Sequence, residues 1–183
     1  TNPLARFTLM AQGEQVHIST YPPAWPTKDP KDGGNYDLAA AIHVRAGAHS
    51  FEAKCFNIVA SGFMDKPMLD ALADLDKDAG RILDNSPRGV SMVIGPDAET
   101  VGDVISDSEG ILYADIDLDA CVEPKQFHDV VGSYNRFDIF KLTVDRSENR
   151  PVMFAAEDIS RETGASRESY PEDPKPSSIL EIT

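Results

Sequence analysis

Basic residues are scarce in this chain. Its 183 residues include 17 Lys and Arg against 31 Asp and Glu, which gives a formal net charge of −14 at pH 7. Binding to a phosphate backbone or to an anionic membrane surface requires clusters of positive charge. The composition therefore predicts that the chain binds neither nucleic acid nor membrane, and it leaves a small neutral substrate or a protein partner.

The sequence also lacks long apolar runs and most recognisable ligand-binding motifs. No run approaches the roughly 18 apolar residues expected of a membrane-spanning helix. The chain contains no P-loop, no Gly-x-Gly-x-x-Gly and no Gly-x-Ser-x-Gly sequence, so no motif indicates a nucleotide site or a serine hydrolase. The apolar share of 41% is that of an ordinary globular protein.

Only two cysteines occur, Cys55 and Cys121, and their spacing fits no metal-binding or redox motif. Each has apolar neighbours, which is typical of a buried small hydrophobic side chain. The chain also has no Asn-x-Ser/Thr glycosylation sequence. Together these features predict a reduced, cytoplasmic protein.

The four histidines are dispersed along the sequence, and this argues against a metal centre. His43 and His49 lie six residues apart in a predicted helix and do not share a face of it. We therefore predict no metal site. Near the end of the same helix, Glu52 is expected to form an ion pair with Arg45 or Lys54.

The predicted elements of the first sixty residues alternate between helix and strand. Asn2 and Pro3 are typical of a helix start, and Gly13 ends that helix. A strand over 15–20 follows, then a helix over 35–54 capped by Asn35, and then the nearly continuous apolar strand 55–63, which is expected to be buried on both sides. This order predicts an α/β fold.

The pattern changes in the second half of the sequence. An acidic helix is predicted over 65–83 with three leucines facing inward, namely Leu69, Leu72 and Leu75. Three short strands then form a predicted antiparallel meander over 90–94, 99–105 and 111–118. We place the domain at 1–150 and predict that 151–183, rich in acidic residues, serine and proline, is a disordered extension.

Several segments resemble the nitrilases of the carbon–nitrogen hydrolase superfamily. The run Asn2-Pro3-Leu4-Ala5-Arg6 is similar to the segment that follows the nucleophilic cysteine of that family. Further similar segments follow in the expected order at 10–23, 52–56, 108–117 and 131–138. The last of them departs from the family at Ser133 and Phe137, where nitrilases often have His and Pro, and this leaves the substrate range open.

This resemblance implies the C-terminal half of an αββα sandwich and a hydrolase that needs no cofactor. The implied reaction converts a nitrile to a carboxylic acid and ammonia through a cysteine thioimidate and an acyl-enzyme. The catalytic Glu, Lys and Cys are all expected upstream of Thr1, so we expect the chain to be an inactive fragment on its own. Two alternatives stay open: a cyanide hydratase or dihydratase of the same family, and a non-catalytic assembly module.

We predict that Tyr21, Pro22 and Trp25 line the substrate pocket, because they follow the end of the first strand on the side expected to face the nucleophile. The resemblance also implies a homodimer formed through the helices at 3–12 and 35–54, and growth of dimers into spirals or filaments. A sandwich divided at Thr1 is expected to expose apolar sheet surface and to aggregate.

Overall fold

The computed structural model describes residues 2–24, 29, 32, 37–84, 86–147 and 152. The chain divides into two units, Thr1–Thr143 and Val144–Thr183, and all helices and strands below belong to the first. In chain order they are α1 (Pro3–Met10), β1 (Val16–Tyr21), α2 (Leu38–Ala53), β2 (Phe56–Ser61), α3 (Lys66–Leu75), α4 (Lys77–Asp84), β3 (Val90–Ile94) and β4 (Thr100–Ser106). Two short 3-10 helices follow at Leu118–Cys121 and Glu123–Gln126.

The four strands form one sheet in the order β1-β2-β3-β4. β1 and β2 pair in parallel, whereas β2–β3 and β3–β4 pair antiparallel. The parallel pair requires a crossover, and α2 supplies it. The predicted α/β class is therefore confirmed. No helix among the described residues is long and apolar enough to cross a bilayer.

Helix α2 covers one face of the sheet and forms the main core. Ile42 and Ala46 on the helix pack in one buried cluster with Val59, Met92 and Ile94 of the sheet. Ile42 and Ile94 are completely inaccessible to solvent. This contact fixes the position of α2, and with it the positions of the polar side chains that the helix carries.

The N-terminus of α2 lies further along the chain than the sequence predicts. Asn35 is the predicted cap and lies outside the described residues. The cap is Asp37, whose side chain accepts a hydrogen bond from the Ala40 amide at 2.9 Å. At the other end Lys54 adopts a left-handed conformation (φ 52°) and closes the helix.

The opposite face of the sheet is only partly covered. Phe56 and Val93 on this face are buried with Cys121 in a second cluster. The register pairs Ile18 with Ile58 on the same face, and these two residues are 67% and 38% exposed. The prediction that β2 is buried on both sides is therefore wrong for its second half, because no described element covers it there.

Two predictions for the second half of the fold are also wrong. Residues 111–118 form no strand; instead, Leu112 and Ala114 pack onto the Phe56–Val93–Cys121 cluster while Tyr113 between them is 81% exposed. The alternation of buried and exposed side chains in residues 111–118 therefore reflects packing over the face of the sheet and not hydrogen bonding to an edge strand.

The predicted helix over 65–83 is two helices, because Asp76 is extended and caps the amides of Asp78 and Ala79. Leu69 is buried as predicted, Leu72 is half-buried, and Leu75 is 84% exposed because it lies where α3 ends.

Candidate functional site

A cavity of about 450 Å³ lies between α1, β1 and α2. Its lining combines apolar residues such as Leu9 and Ile18 with polar and basic side chains, namely Asn2, Arg6, His17, Tyr21, Arg45 and His49. Pro22 lies beside Tyr21 on the cavity wall, so two of the three predicted substrate-binding residues line one cavity. Trp25 lies outside the described residues. The role of all three in substrate binding stays a prediction.

One carboxylate joins two histidines at the edge of this cavity. Glu14 Oε1 lies 2.5 Å from His17 Nδ1, and Glu14 Oε2 lies 2.7 Å from His49 Nε2. The two imidazole rings have centroids 4.0 Å apart. The His49 side chain is 4% exposed and that of Glu14 is 12% exposed, so both hydrogen bonds are largely shielded from water.

The interpretation of the histidines as dispersed is therefore wrong for His17 and His49. Helix α2 returns from the end of β1 to the start of β2, so its last turns lie beside the start of β1. This topology brings His49 near the end of α2 to His17 near the start of β1, with Glu14 in the preceding loop. One ligand atom from each of the three side chains lies within 4.8 Å of the other two.

Burial keeps His49 in its neutral form. Desolvation lowers the pKa of His49, the hydrogen bond to Glu14 opposes that effect, and nearby His17 and Arg6 add to the lowering. The neutral ring can donate Nε2–H to the Glu14 carboxylate. Its Nδ1 is buried and has no hydrogen-bond partner among the described residues, so the ring makes its only described hydrogen bond to Glu14.

A salt bridge beside the cavity involves a different pair from the one predicted. Among the ion pairs of the described residues, Glu52 pairs with Arg6 of α1. Lys54 instead donates to Asp97 at 2.9 Å and lies 3.7 Å above the ring of Phe51. The predicted pairing of Glu52 is thus wrong: its ion pair joins α2 to α1 through Arg6, while Lys54 is engaged by Asp97.

Tyr21 presents a phenol to the cavity. Burial raises the pKa of Tyr21, while Arg45 and the hydrogen bond with Ser19 act in the opposite direction. The hydroxyl is therefore protonated at neutral pH, when it can both donate and accept a hydrogen bond.

Neither cysteine offers a nucleophile to this site. Burial is the main cause, and the negative charge of the nearby Glu14 carboxylate the second, of a Cys55 pKa that is raised to about 12. Burial also raises the pKa of Cys121. Because the thiolate is the reactive form, both side chains are inert at neutral pH. The prediction that both are buried is confirmed.

Comparison with known families identifies one match over most of the chain. The model of the carbon–nitrogen hydrolase family matches residues 1–126. These residues include α1, β1 and α2, and therefore every described side chain that lines the cavity.

Individual relatives agree with this match. The chain is 31% identical to a nitrilase from Penicillium rubens over 161 residues, which are 86% of this chain and 48% of the relative. It is 30% identical to an arylacetonitrilase from Aspergillus kawachii over 87% of this chain and 48% of the relative. An aliphatic nitrilase from Rhodococcus rhodochrous is 27% identical over 85% of this chain and 40% of that protein. The chain thus spans about half the length of the curated relatives it matches.

Proposed function

This chain belongs to the carbon–nitrogen hydrolase family, and we propose that it is the part of a nitrilase that follows the nucleophilic cysteine. The similarity of residues 2–6 to the segment after that cysteine supports the proposal, as does the share of the nitrilase relatives that the chain spans. The observation that carries it is the burial of Cys55 and Cys121, since neither thiol can serve as the nucleophile. The proposal assigns the catalytic Cys, Glu and Lys to sequence outside these 183 residues.

The proposed reaction hydrolyses a nitrile to a carboxylic acid and ammonia. A cysteine thiolate attacks the nitrile carbon, the nitrogen takes up a proton, and a thioimidate forms. Water adds to the thioimidate, the carbon–nitrogen bond breaks and ammonia leaves an acyl-enzyme, which a second water hydrolyses to the acid. A glutamate moves the protons, and a lysine stabilises the negative charge that develops.

The exposed sheet face supports the proposal that the fold is half of an αββα sandwich. Such a sandwich packs two sheets against each other and covers their outer faces with helices. In this chain α2 covers one face, and apolar Val16, Ile18 and Ile58 are exposed on the other. A second sheet, from sequence outside this chain, is the proposed cover.

For the substrate, we retain the prediction that Tyr21, Pro22 and Trp25 line the pocket. The cavity beside Tyr21 and Pro22 supports it for the first two residues. The relatives carry names that cover both arylacetonitriles and aliphatic nitriles, so the proposal specifies a small nitrile and no narrower class. Hydration or dihydration of cyanide is the nearest alternative within the family.

The experiment starts from the native protein. Antibodies raised against this chain should capture a product from cells whose intact mass exceeds that of the 183 residues and which carries Cys, Glu and Lys in the added sequence. That product should release ammonia from phenylacetonitrile, mandelonitrile or cyanide, and the 183-residue chain alone should release none. Ammonia release by the 183-residue chain would contradict the assignment of the catalytic residues.

A second candidate, a non-catalytic assembly module, is favoured by one observation. Both helices implied in the family dimer are present, and each exposes an apolar side chain, Leu4 on α1 and Val44 on α2, at 61% and 69%. A native product of 183 residues that forms dimers and hydrolyses no nitrile would favour the module. A longer, active product would favour the enzyme.

A further inference from the structure

We propose that Glu14, His17 and His49 form a binding site for a divalent transition metal ion such as Zn²⁺. The proposal is independent of the nitrilase activity, because it concerns three side chains that the proposed reaction does not use. Imidazole nitrogen and carboxylate oxygen are donor types that Zn²⁺ binds in proteins. Three protein ligands of this kind are enough to hold the ion when a fourth position is taken by water.

The three ligands come from three separate parts of the fold. Glu14 lies in the loop between α1 and β1, His17 lies on β1, and His49 lies near the end of α2. Both strand and helix are held by the main core, where α2 packs on the sheet. The two histidine ligands are therefore positioned by rigid elements, and a bound ion would link the loop that carries Glu14 to the strand and the helix.

The separations between the ligand atoms suit an ion after a small adjustment. Zn–N and Zn–O distances of about 2.0–2.2 Å in a tetrahedral site place the ligand atoms roughly 3.3 Å apart. Glu14 oxygens now lie 2.5 Å from His17 Nδ1 and 2.7 Å from His49 Nε2. Opening each of these two contacts by less than about 1 Å, through side-chain rotation, brings it to that spacing, and all three ligand atoms already lie within 4.8 Å of one another.

The metal-free and the metal-bound site can hold the same ring protons. In the metal-free site His17 Nδ1 and His49 Nε2 can each donate an N–H to the Glu14 carboxylate. When the ion binds His17 Nδ1 and His49 Nε2, the ring proton resides on the other nitrogen of each ring, and the carboxylate coordinates the ion instead of accepting hydrogen bonds. The lowered pKa of His49 favours this binding, because only a neutral imidazole is a ligand.

The electrostatic surroundings are compatible with a cation. Two arginines, Arg6 and Arg45, line the same cavity as His49, and Glu52 forms a salt bridge with Arg6 that offsets its charge. Glu14 supplies the negative charge in the ligand set. His17 and His49 also line the cavity, which gives a water molecule access to the fourth coordination position.

Metal binding to the untagged, metal-free protein tests the proposal, both in the 183-residue chain and in the longer native product proposed above. Titration calorimetry with Zn²⁺ should show one site per chain, and Co²⁺ should give the visible absorption bands of a tetrahedral nitrogen–oxygen site. Zn²⁺ should also raise the melting temperature, since it binds the folded state. In Glu14→Gln and in His17→Ala, Zn²⁺ affinity should fall by at least tenfold.

The matched control is His43→Ala, which removes a histidine from the same helix as His49 but outside the cluster. Its Zn²⁺ affinity should equal that of the unaltered chain. Circular dichroism before each titration verifies that every variant is folded. If His17→Ala does not fold, Glu14→Gln still tests the proposal, because it keeps the shape of the side chain. Equal affinity in Glu14→Gln and in the unaltered chain, or absence of a site in the latter, would overturn the proposal.

Discussion

Burial determines the protonation of Cys55 and, through it, a part of the stability. The Cys55 pKa is raised to about 12, from an ordinary value near 9.0. Between these values the unfolded chain loses the thiol proton while the folded chain keeps it, so the folded state binds more protons and stability falls as pH rises. The contribution is complete below pH 9 and is lost as the pH approaches 12.

We therefore expect the free energy of unfolding to fall more steeply above pH 9 in the unaltered chain than in Cys55→Ala. The difference in slope should approach about 1.4 kcal/mol per pH unit, the value for one proton. Urea denaturation at pH 8, 9 and 10 measures this difference in slope. Because tyrosines and lysines titrate equally in the two proteins, their contribution cancels in the comparison. Parallel slopes would show that Cys55 titrates normally in the folded chain.

At the scale of single residues, the sequence predicts the burial of the cysteines but misses the Glu14–His17–His49 cluster. Periodicity compares residues within one element, and these three belong to a loop, a strand and a helix. The predicted strand–helix–strand order did contain the necessary information, since a parallel crossover places the end of its helix beside the start of its first strand. The pairing of Glu52 with Arg6 was missed for the same reason, because it joins two helices.

At the scale of elements, the N-terminus of α2 depends on Asp37. Its carboxylate accepts the Ala40 amide at 2.9 Å, and loss of such a cap costs about 1 kcal/mol. We expect Asp37→Ala to lower the free energy of unfolding by that amount in urea denaturation. Asp37→Asn retains an acceptor oxygen and should lose far less, whereas equal losses in both variants would point to the charge rather than the cap.

Helix α2 also has a buried and an exposed side, and one substitution on each side shows how much each contributes to stability. Ile42 is fully buried against the sheet and Val44, two residues later, is 69% exposed. Ile42→Ala should cost roughly 2–5 kcal/mol because it leaves a cavity in the core. Val44→Ala should change stability by less than about 0.5 kcal/mol. Chemical denaturation of the two variants measures both, and similar costs would mean that α2 does not pack as described.

The helices and strands were predicted best where a capping residue or the hydrophobic period alone determines their limits. α1, β1 and β3 were predicted nearly as found, because capping residues or the period determine them, and only the N-terminus of α2 was placed too early, at Asn35 instead of Asp37. Residues 111–118 were assigned to a strand because apolar and polar residues alternate, yet Leu112 and Ala114 use that alternation to pack over the sheet. Alternation reports which side chains face inward, but it does not report whether the backbone has a pairing partner.

At the scale of the whole molecule, the open sheet face distinguishes this chain from the longer protein proposed above. Ile18 and Ile58 are neighbours on that face and are 67% and 38% exposed. Exposed apolar patches of this kind promote association. In a complete sandwich the same side chains would be buried, so one substitution should have opposite consequences in the two proteins.

We expect the double variant Ile18→Thr, Ile58→Thr to be more soluble than the unaltered chain and to bind less of the dye ANS, with little loss of stability, because threonine suits a strand and the face is open. The control Ile94→Thr, under α2, should lose roughly 2–4 kcal/mol, because it buries a hydroxyl and removes packing. In the longer native protein the double variant should become as damaging as the control, since a second sheet would then enclose both hydroxyls. Thermal melts of the unaltered protein, the double variant and the control, each in the 183-residue chain and in the longer protein, measure this reversal. A double variant that is harmless in the longer protein would show that no second sheet packs on this face.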